Sequence, residues 1–268
     1  MTPDTRDNAV AQAVAAERLE GWRPSDEHVT ALTALARGDV PFDDYLAKFC
    51  DRYPAPQRPR RRLSLRPAPH YLLPGTTLLR NNFGADSAEM LADLEFVATA
   101  GRMVLWLCRP VEATEPDGLD VRMLHRHLFG DVYAWAGQYR TCELRRGEQG
   151  FAPRSTIAAG MARVRDTARS VVDACASYDD PRLAYELARL YVDFNQIHPF
   201  REGNGRTGAL LLHGVAARCG RTLDLTVTNR AEWYSAAFDS MPPRRRDGRA
   251  NHRPFLPILV RAVTSPAR

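Results

Sequence analysis

His198-Pro199-Phe200-Arg201-Glu202-Gly203-Asn204-Gly205-Arg206 brings a histidine, a carboxylate, an amide, two glycines and an arginine into nine residues. Upstream, Leu183, Leu187, Leu190, Tyr191, Phe194 and Ile197 recur at helical spacing and bury one face. Downstream, Leu210, Leu211, Leu212, Val215 and Ala216 resume an apolar run before Cys219-Gly220, where the glycine can stop a helix. The stretch is therefore a glycine-bearing turn between two core helices.

That placement predicts chemistry. Gly203 and Gly205 can take backbone angles that other residues avoid, so consecutive N–H groups can face one concavity. The N-terminus of the next helix adds its positive dipole end, which suits phosphate. Arg206 offers a forked, permanently charged donor for a second phosphate group. Glu202 is a hard oxygen ligand able to hold Mg²⁺ against those phosphates. His198 is the group here that can take up a proton near neutral pH. Together they describe phosphoryl or nucleotidyl transfer to a hydroxyl, with His198 as base.

The stretch resembles the signature of the Fic family, His-x-Phe-x-(Asp/Glu)-Gly-Asn-Gly-Arg-x-x-Arg, at every fixed position but the last, where this chain has Ala209. The resemblance implies a mainly α fold, a helical Fic domain with a β-hairpin flap, and AMP transfer from ATP with Mg²⁺. On that basis His198 is the base and Glu202 the metal ligand. Gly203, Asn204 and Gly205 cradle the α- and β-phosphates, Arg206 binds the terminal ones, and Phe200 anchors the loop. A Fic branch that moves the γ-phosphate has Asn-Lys in place of Gly-Asn-Gly; Gly203-Asn204-Gly205 favours AMP transfer. Ala209 supports a competing reading, a catalytically weak Fic-fold nucleotide-binding or regulatory module, because one lost charge-assisted phosphate contact costs about 1.5–3 kcal/mol.

The 268 residues, 44% of them hydrophobic, suffice for a packed core, and no apolar run is long enough to span a membrane. The polar, mixed-charge start from Met1 to Val14 does not read as a secretory signal. Five scattered cysteines without metal-ligand spacing fit reduced thiols in a cytoplasm. The net charge of +5 comes from arginine, clustered at Arg58, Arg60 to Arg62 and Arg66 and again at Arg244 to Arg246 and Arg249. Proline runs through both clusters and no aromatics interleave them, so they read as solvated segments rather than a nucleic-acid footprint.

Three short helices are expected before residue 53: about 6–20, one opening at Pro24-Ser25 with Ser25 as N-cap, and Phe42 to Arg52. So small a core is marginal alone and must pack on something else. This region, with Glu17 to Ser25 and Ala36 to Asp39, is similar to the small antitoxins that pair with class I Fic toxins. Their inhibitory motif is (Ser/Thr)-x-x-x-Glu-(Gly/Asn); here Ala16-x-x-x-Glu20-Gly21 keeps the Glu-Gly and lacks the hydroxyl. The resemblance makes Glu20 the inhibitory residue, whose usual partner is the motif's second arginine. With Ala209 in that place, Glu20 either finds another arginine or grips less firmly. The organisation expected is an antitoxin-like helical unit (1–53), a Pro/Arg-rich linker (54–70), a catalytic domain (71–241) and a basic tail folding back (242–268). Tethering would raise the effective concentration of the inhibitory unit, on the order of mM for a short linker.

Within the catalytic part, Tyr71 to Gly84 resembles the opening segment of bacterial Fic adenylyltransferases, which puts Asn82 and Phe83 near the adenine; a loop-packing role is the alternative. Asp86 to Leu107 and Leu119 to Phe129 read as helices, followed by a packing run with Tyr133 and Trp135. Arg140 to Leu144 and Gly150 to Pro153 read as two strands of a hairpin around Arg145 to Gln149. In Fic proteins such a flap (here about 141–152) holds a target protein by strand addition, and Arg146-Gly147 fall where relatives have a nucleotide-contacting Lys-Gly. The class I likeness suggests a bacterial target of the DNA topoisomerase type. Thr222 to Val227 reads as an extended piece, and Phe255 to Val263 as a segment that folds back.

Overall fold

The computed structural model describes residues 3–53, 71–110, 119–147, 149–242 and 250–265. The expected linker and both arginine clusters lie outside these residues. The fold is mainly helical, as the signature implied. In order come α1 (Pro3–Leu19), α2 (Asp26–Arg37), α3 (Phe42–Cys50), α4 (Ala88–Leu107) and α5 (Val121–Phe129). After a hairpin follow α6 (Ile157–Ala174), α7 (Asp180–Ile197), α8 (Asn204–Arg218), α9 (Arg230–Asp239) and α10 (Leu256–Ala262).

The centre is α8, which packs on α7 and α5, with α6 and α1 also touching it. From Thr207 to Ala216 every residue of α8 is buried, so this helix is apolar all round because neighbours surround it. α4 is the second spine and receives α1, α2, α3 and α5. The first three helices therefore share one core with the rest, as their small size required. Leu19, Trp22, Leu32 and Phe49 are buried in it. The Tyr45 hydroxyl donates to the Val97 carbonyl of α4 at 3.0 Å. Gln12 of α1 is buried and reaches the C-terminal part: its amide donates to Asp224 at 2.9 Å and its oxygen accepts from the Leu225 N–H at 2.8 Å.

Several expectations need correction. α1 begins at Pro3, and α6 is a helix beyond those expected, its Ile157, Met161, Val164, Ala168 and Val171 buried at helical spacing. The hairpin forms, but its regular strands are shorter and displaced into the stretch read as the turn: β1 (Arg145–Arg146) pairs antiparallel with β2 (Gln149–Gly150), Arg145 opposite Gly150. In the residues read as strands, 140–144 and 150–153, the arms still meet through Phe151 N–H to Leu144 O at 3.1 Å. Their outer ends are tied to the end of α7 and the turn after it, Ala152 N–H to Gln196 O at 3.1 Å and Arg140 N–H to Pro199 O at 2.8 Å. Thr222 to Val227 divides into β3 (Thr222–Leu223) and a 3₁₀ turn, Leu225–Val227. β3 pairs with β4 (Val263–Thr264), so the segment after Phe255 does fold back, with Phe255 and Leu259 buried.

Candidate active site

The α7–α8 turn is built on one strained residue and one glycine. His198 ends α7 in the left-handed region (φ 51°, ψ 62°), alone among the described non-glycine residues in having positive φ. An L-residue there costs roughly 1–2 kcal/mol, so its surroundings must hold it. Gly203 precedes α8 at φ +79°, and a Cβ on it would lie 2.2 Å from Phe129. Gly205 differs from the expectation: its backbone is helical, and its want of a side chain serves close approach.

A cleft of about 270 Å³ contains His198, Glu202, Asn204, Gly205, Arg201 and Glu20, with Arg146, Phe151, Asn195 and Tyr234 around them. The His198 ring lies 3.8 Å from and nearly parallel to Phe151, and its Nδ1 faces the Asn195 carbonyl at 3.3 Å. With Nδ1–H donating to that carbonyl, Nε2 is left to accept a proton. Enclosure, with the Arg146 charge second, pushes His198 down to about 3, so it is neutral at physiological pH. Glu202 is 43% exposed and its Oε1 accepts from the Gly203 N–H at 3.0 Å. No side chain caps α8, so its first-turn amides have no helical carbonyl partner, a geometry that suits an anion.

The structure brings together His198, Glu202, Asn204, Gly205, Arg146 and Glu20. Phe200 is buried against His125, ring centroids 3.9 Å apart. Asn204 is committed locally, both accepting from and donating to the Phe200 backbone at 2.9 Å, so its side chain shapes the loop. Gly147 has φ +58° at the flap turn, beside Arg146. Asn82 is tied to the loop after α5, its N–H to Val132 O at 2.8 Å and its amide to Gly130 O at 3.2 Å. Neither Asn82 nor Phe83 lines the cleft.

Arg206 is the largest departure. It is 3% exposed, over the Phe129 ring, and bonded to Glu95 of α4 and to Thr99 Oγ1 at 3.1 Å. Glu17 of α1 stands 3.5 Å from it and is fully buried. Nothing about these carboxylates is periodic beyond ordinary helix positions, so the sequence reading missed both. Glu17 and Glu20 lie on successive turns of one helix end and bracket α8: Glu17 faces Arg206, while Glu20 Oε1 would lie 1.7 Å from a Cβ on Gly205. Glu20 Oε2 accepts from the Tyr234 hydroxyl at 3.1 Å, so among the described residues its hydrogen-bond partner is a phenol.

Burial pushes the Glu17 carboxyl up to about 8, against the opposing pull of Arg206. A raised carboxyl stabilises the fold fully below its unfolded value of 4.5, and this contribution is lost as pH rises to about 8. The loss is on the order of 3 kcal/mol by neutral pH. Glu17→Gln is therefore expected to raise the thermal midpoint near pH 8 and leave it unchanged near pH 4.5. Equal pH slopes for wild type and variant would refute this.

Residues 117–216 match the model of the Fic/DOC family, and residues 6–52 match that of Antitoxin VbhA. A probable protein adenylyltransferase of Sinorhizobium fredii, y4lH, is 32% identical over 154 residues, 56% of this chain and 77% of that protein. The chain belongs to the Fic/DOC family. The probable protein adenylyltransferase Fic of Salmonella typhimurium is 25% identical over 199 residues, 74% of this chain and 93% of that protein. Among solved structures, the BepC protein of Bartonella tribocorum with bound AMPPNP shares the Fic fold at a TM-score of 0.63 and 19% identity, over 74% of this chain and 97% of that one. These curated relatives are named protein adenylyltransferases, and in this chain the Fic match is preceded by a match to the antitoxin model. No described helix is long and apolar enough to cross a membrane.

Proposed function

We propose that this chain transfers AMP from ATP to a hydroxyl side chain of a protein and that its own first helix restrains the reaction. One observation carries the reading: a neutral His198 with Nε2 available shares a cleft with the uncapped N-terminus of α8, Glu202 and the flap residue Arg146. His198 accepts the proton of the acceptor hydroxyl. The hydroxyl oxygen bonds to the α-phosphorus, the bond to the β-phosphate breaks, and pyrophosphate leaves. The first-turn amides of α8 and Arg146 would receive phosphate charge, a role that needs fixed donors more than any one strong contact. Glu202 suits Mg²⁺, since its carboxylate is part-exposed in the cleft and this metal needs few protein carboxylates when phosphates supply the rest. Bound there, the ion would neutralise phosphate charge. The edge of the β1–β2 flap supports capture of an extended acceptor segment by main-chain pairing, which leaves the acceptor's sequence open. Five free cysteines and an ATP donor support a cytoplasmic setting.

Restraint rests on Glu20, a carboxylate lodged against α8 where phosphate would bind, and on Glu95 and Glu17, which occupy Arg206. The test is transfer of labelled AMP from ATP with Mg²⁺ to the purified chain, a bacterial lysate and a bacterial DNA topoisomerase. Transfer by wild type or Glu20→Gly supports the reading; ATP binding with no transfer by either would favour a nucleotide-binding module. Ala209 lies one turn beyond Gly205 on the same face of α8. Ala209→Arg is expected to pair with Glu20 and lower transfer about tenfold, and to raise it when combined with Glu20→Gly. Rates of the single and double variants check this.

A further inference from the structure

Arg140 lies between the flap and the His198 turn. Its side chain is fully buried, and among the described residues its guanidinium donates to four backbone carbonyls. Nε donates to His198 O at 2.8 Å and Nη2 to Ile197 O at 3.1 Å, on the turn that carries the histidine. Nη1 donates to Cys142 O at 2.7 Å and Nη2 to Ala152 O at 2.5 Å, on the two arms of the flap. Its own N–H donates to Pro199 O at 2.8 Å, so three successive carbonyls, 197 to 199, converge on one residue. The nearest carboxylate, Glu143 at 3.6 Å, is 58% exposed, so carbonyl dipoles rather than a buried ion pair receive the charge.

We propose that Arg140 is a positioning residue that fixes the flap, and with it the acceptor hydroxyl, relative to His198. The inference rests on the AMP-transfer reading. The peptide bonded to Nε belongs to His198, the one described non-glycine residue held at positive φ, and the flap arm bonded to Nη2 carries Phe151, which stacks on the imidazole. A single planar fork thus holds the base's backbone and the arms that flank it. The phosphate end of the cleft, the start of α8, receives none of these bonds. Lysine has three donors on a tetrahedral head and cannot reproduce a planar array aimed at four carbonyls.

Arg140→Lys and Arg140→Ala are compared with the full-length parent, in wild-type and Glu20→Gly backgrounds. The readouts are AMP incorporation into lysate proteins over a range of ATP, calorimetric ATP affinity, and the ring resonances of labelled histidines, with His198 assigned by its loss in His198→Ala. The expected result is a maximal rate at least tenfold lower in both variants, an ATP affinity lowered by less than the rate because α8 keeps its donors while only Arg146 rides on the flap, and a shifted His198 resonance beside an unshifted His125. A parental rate with an unmoved His198 resonance overturns the proposal. So does parallel loss of ATP affinity and of the folded resonances, which would make Arg140 a structural residue only. If no parent transfers AMP, the functional reading has failed, and the resonances alone decide whether Arg140 sets the histidine.

Discussion

Replacing His198 by alanine is expected to lower AMP transfer about 10²–10⁴-fold while ATP affinity stays near that of wild type, the range that loss of a positioned general base produces. His198 Nδ1 is turned to the Asn195 carbonyl and its ring is pressed on Phe151, so Nε2 is held in one orientation in the cleft. The phosphate-binding donors proposed here belong to α8 and the flap, so ATP should still bind. The imidazole, pushed down to about 3 by enclosure, is unprotonated through the neutral range. The acid limb of the transfer rate is accordingly expected well below pH 6.5. The neutral form also makes the histidine a contributor to stability that is present above pH 6.5 and lost as pH falls through about 3. Transfer at the wild-type rate by His198→Ala would sink the mechanism, and unchanged folding by circular dichroism would exclude a trivial loss.

Glu20→Gly is expected to raise transfer about 10–100-fold, equivalent to removing one charge-assisted obstruction of about 1.5–3 kcal/mol. The Glu20 carboxylate lies against Gly205 at the start of α8, and phosphate would compete with it for the same positive helix end. Two anions cannot share that position without a cation between them. Its hydrogen-bond partner among the described residues, Tyr234, supplies a neutral O–H at 3.1 Å, a weaker hold than an arginine fork. The position follows the last residue of α1, so glycine there leaves the helix intact while Leu19 and Trp22 keep α1 docked. ATP affinity and initial rates, measured side by side, decide the matter: unchanged values for both would mean that Glu20 does not restrain the site.

The sequence by itself determined the helical architecture, the turn with its histidine, acid and glycines, and the antitoxin-like start, because each is written in local terms. Helical periodicity marks α7 and α8, and a nine-residue motif keeps its chemistry contiguous. The same locality makes the α6 helix legible from Ile157, Met161, Val164, Ala168 and Val171. Tertiary structure alone decided what the charged groups do. Arg206 has the sequence of a phosphate ligand, yet Glu95 from α4 and Glu17 from α1 surround it in the core. Arg140 reads as a strand residue but becomes a clamp because carbonyls from 142, 152 and 197–199 converge on it. The physical reason is common to both: a buried charge must be met by partners, and those partners come from whatever elements the fold brings near, at sequence separations that no local pattern records.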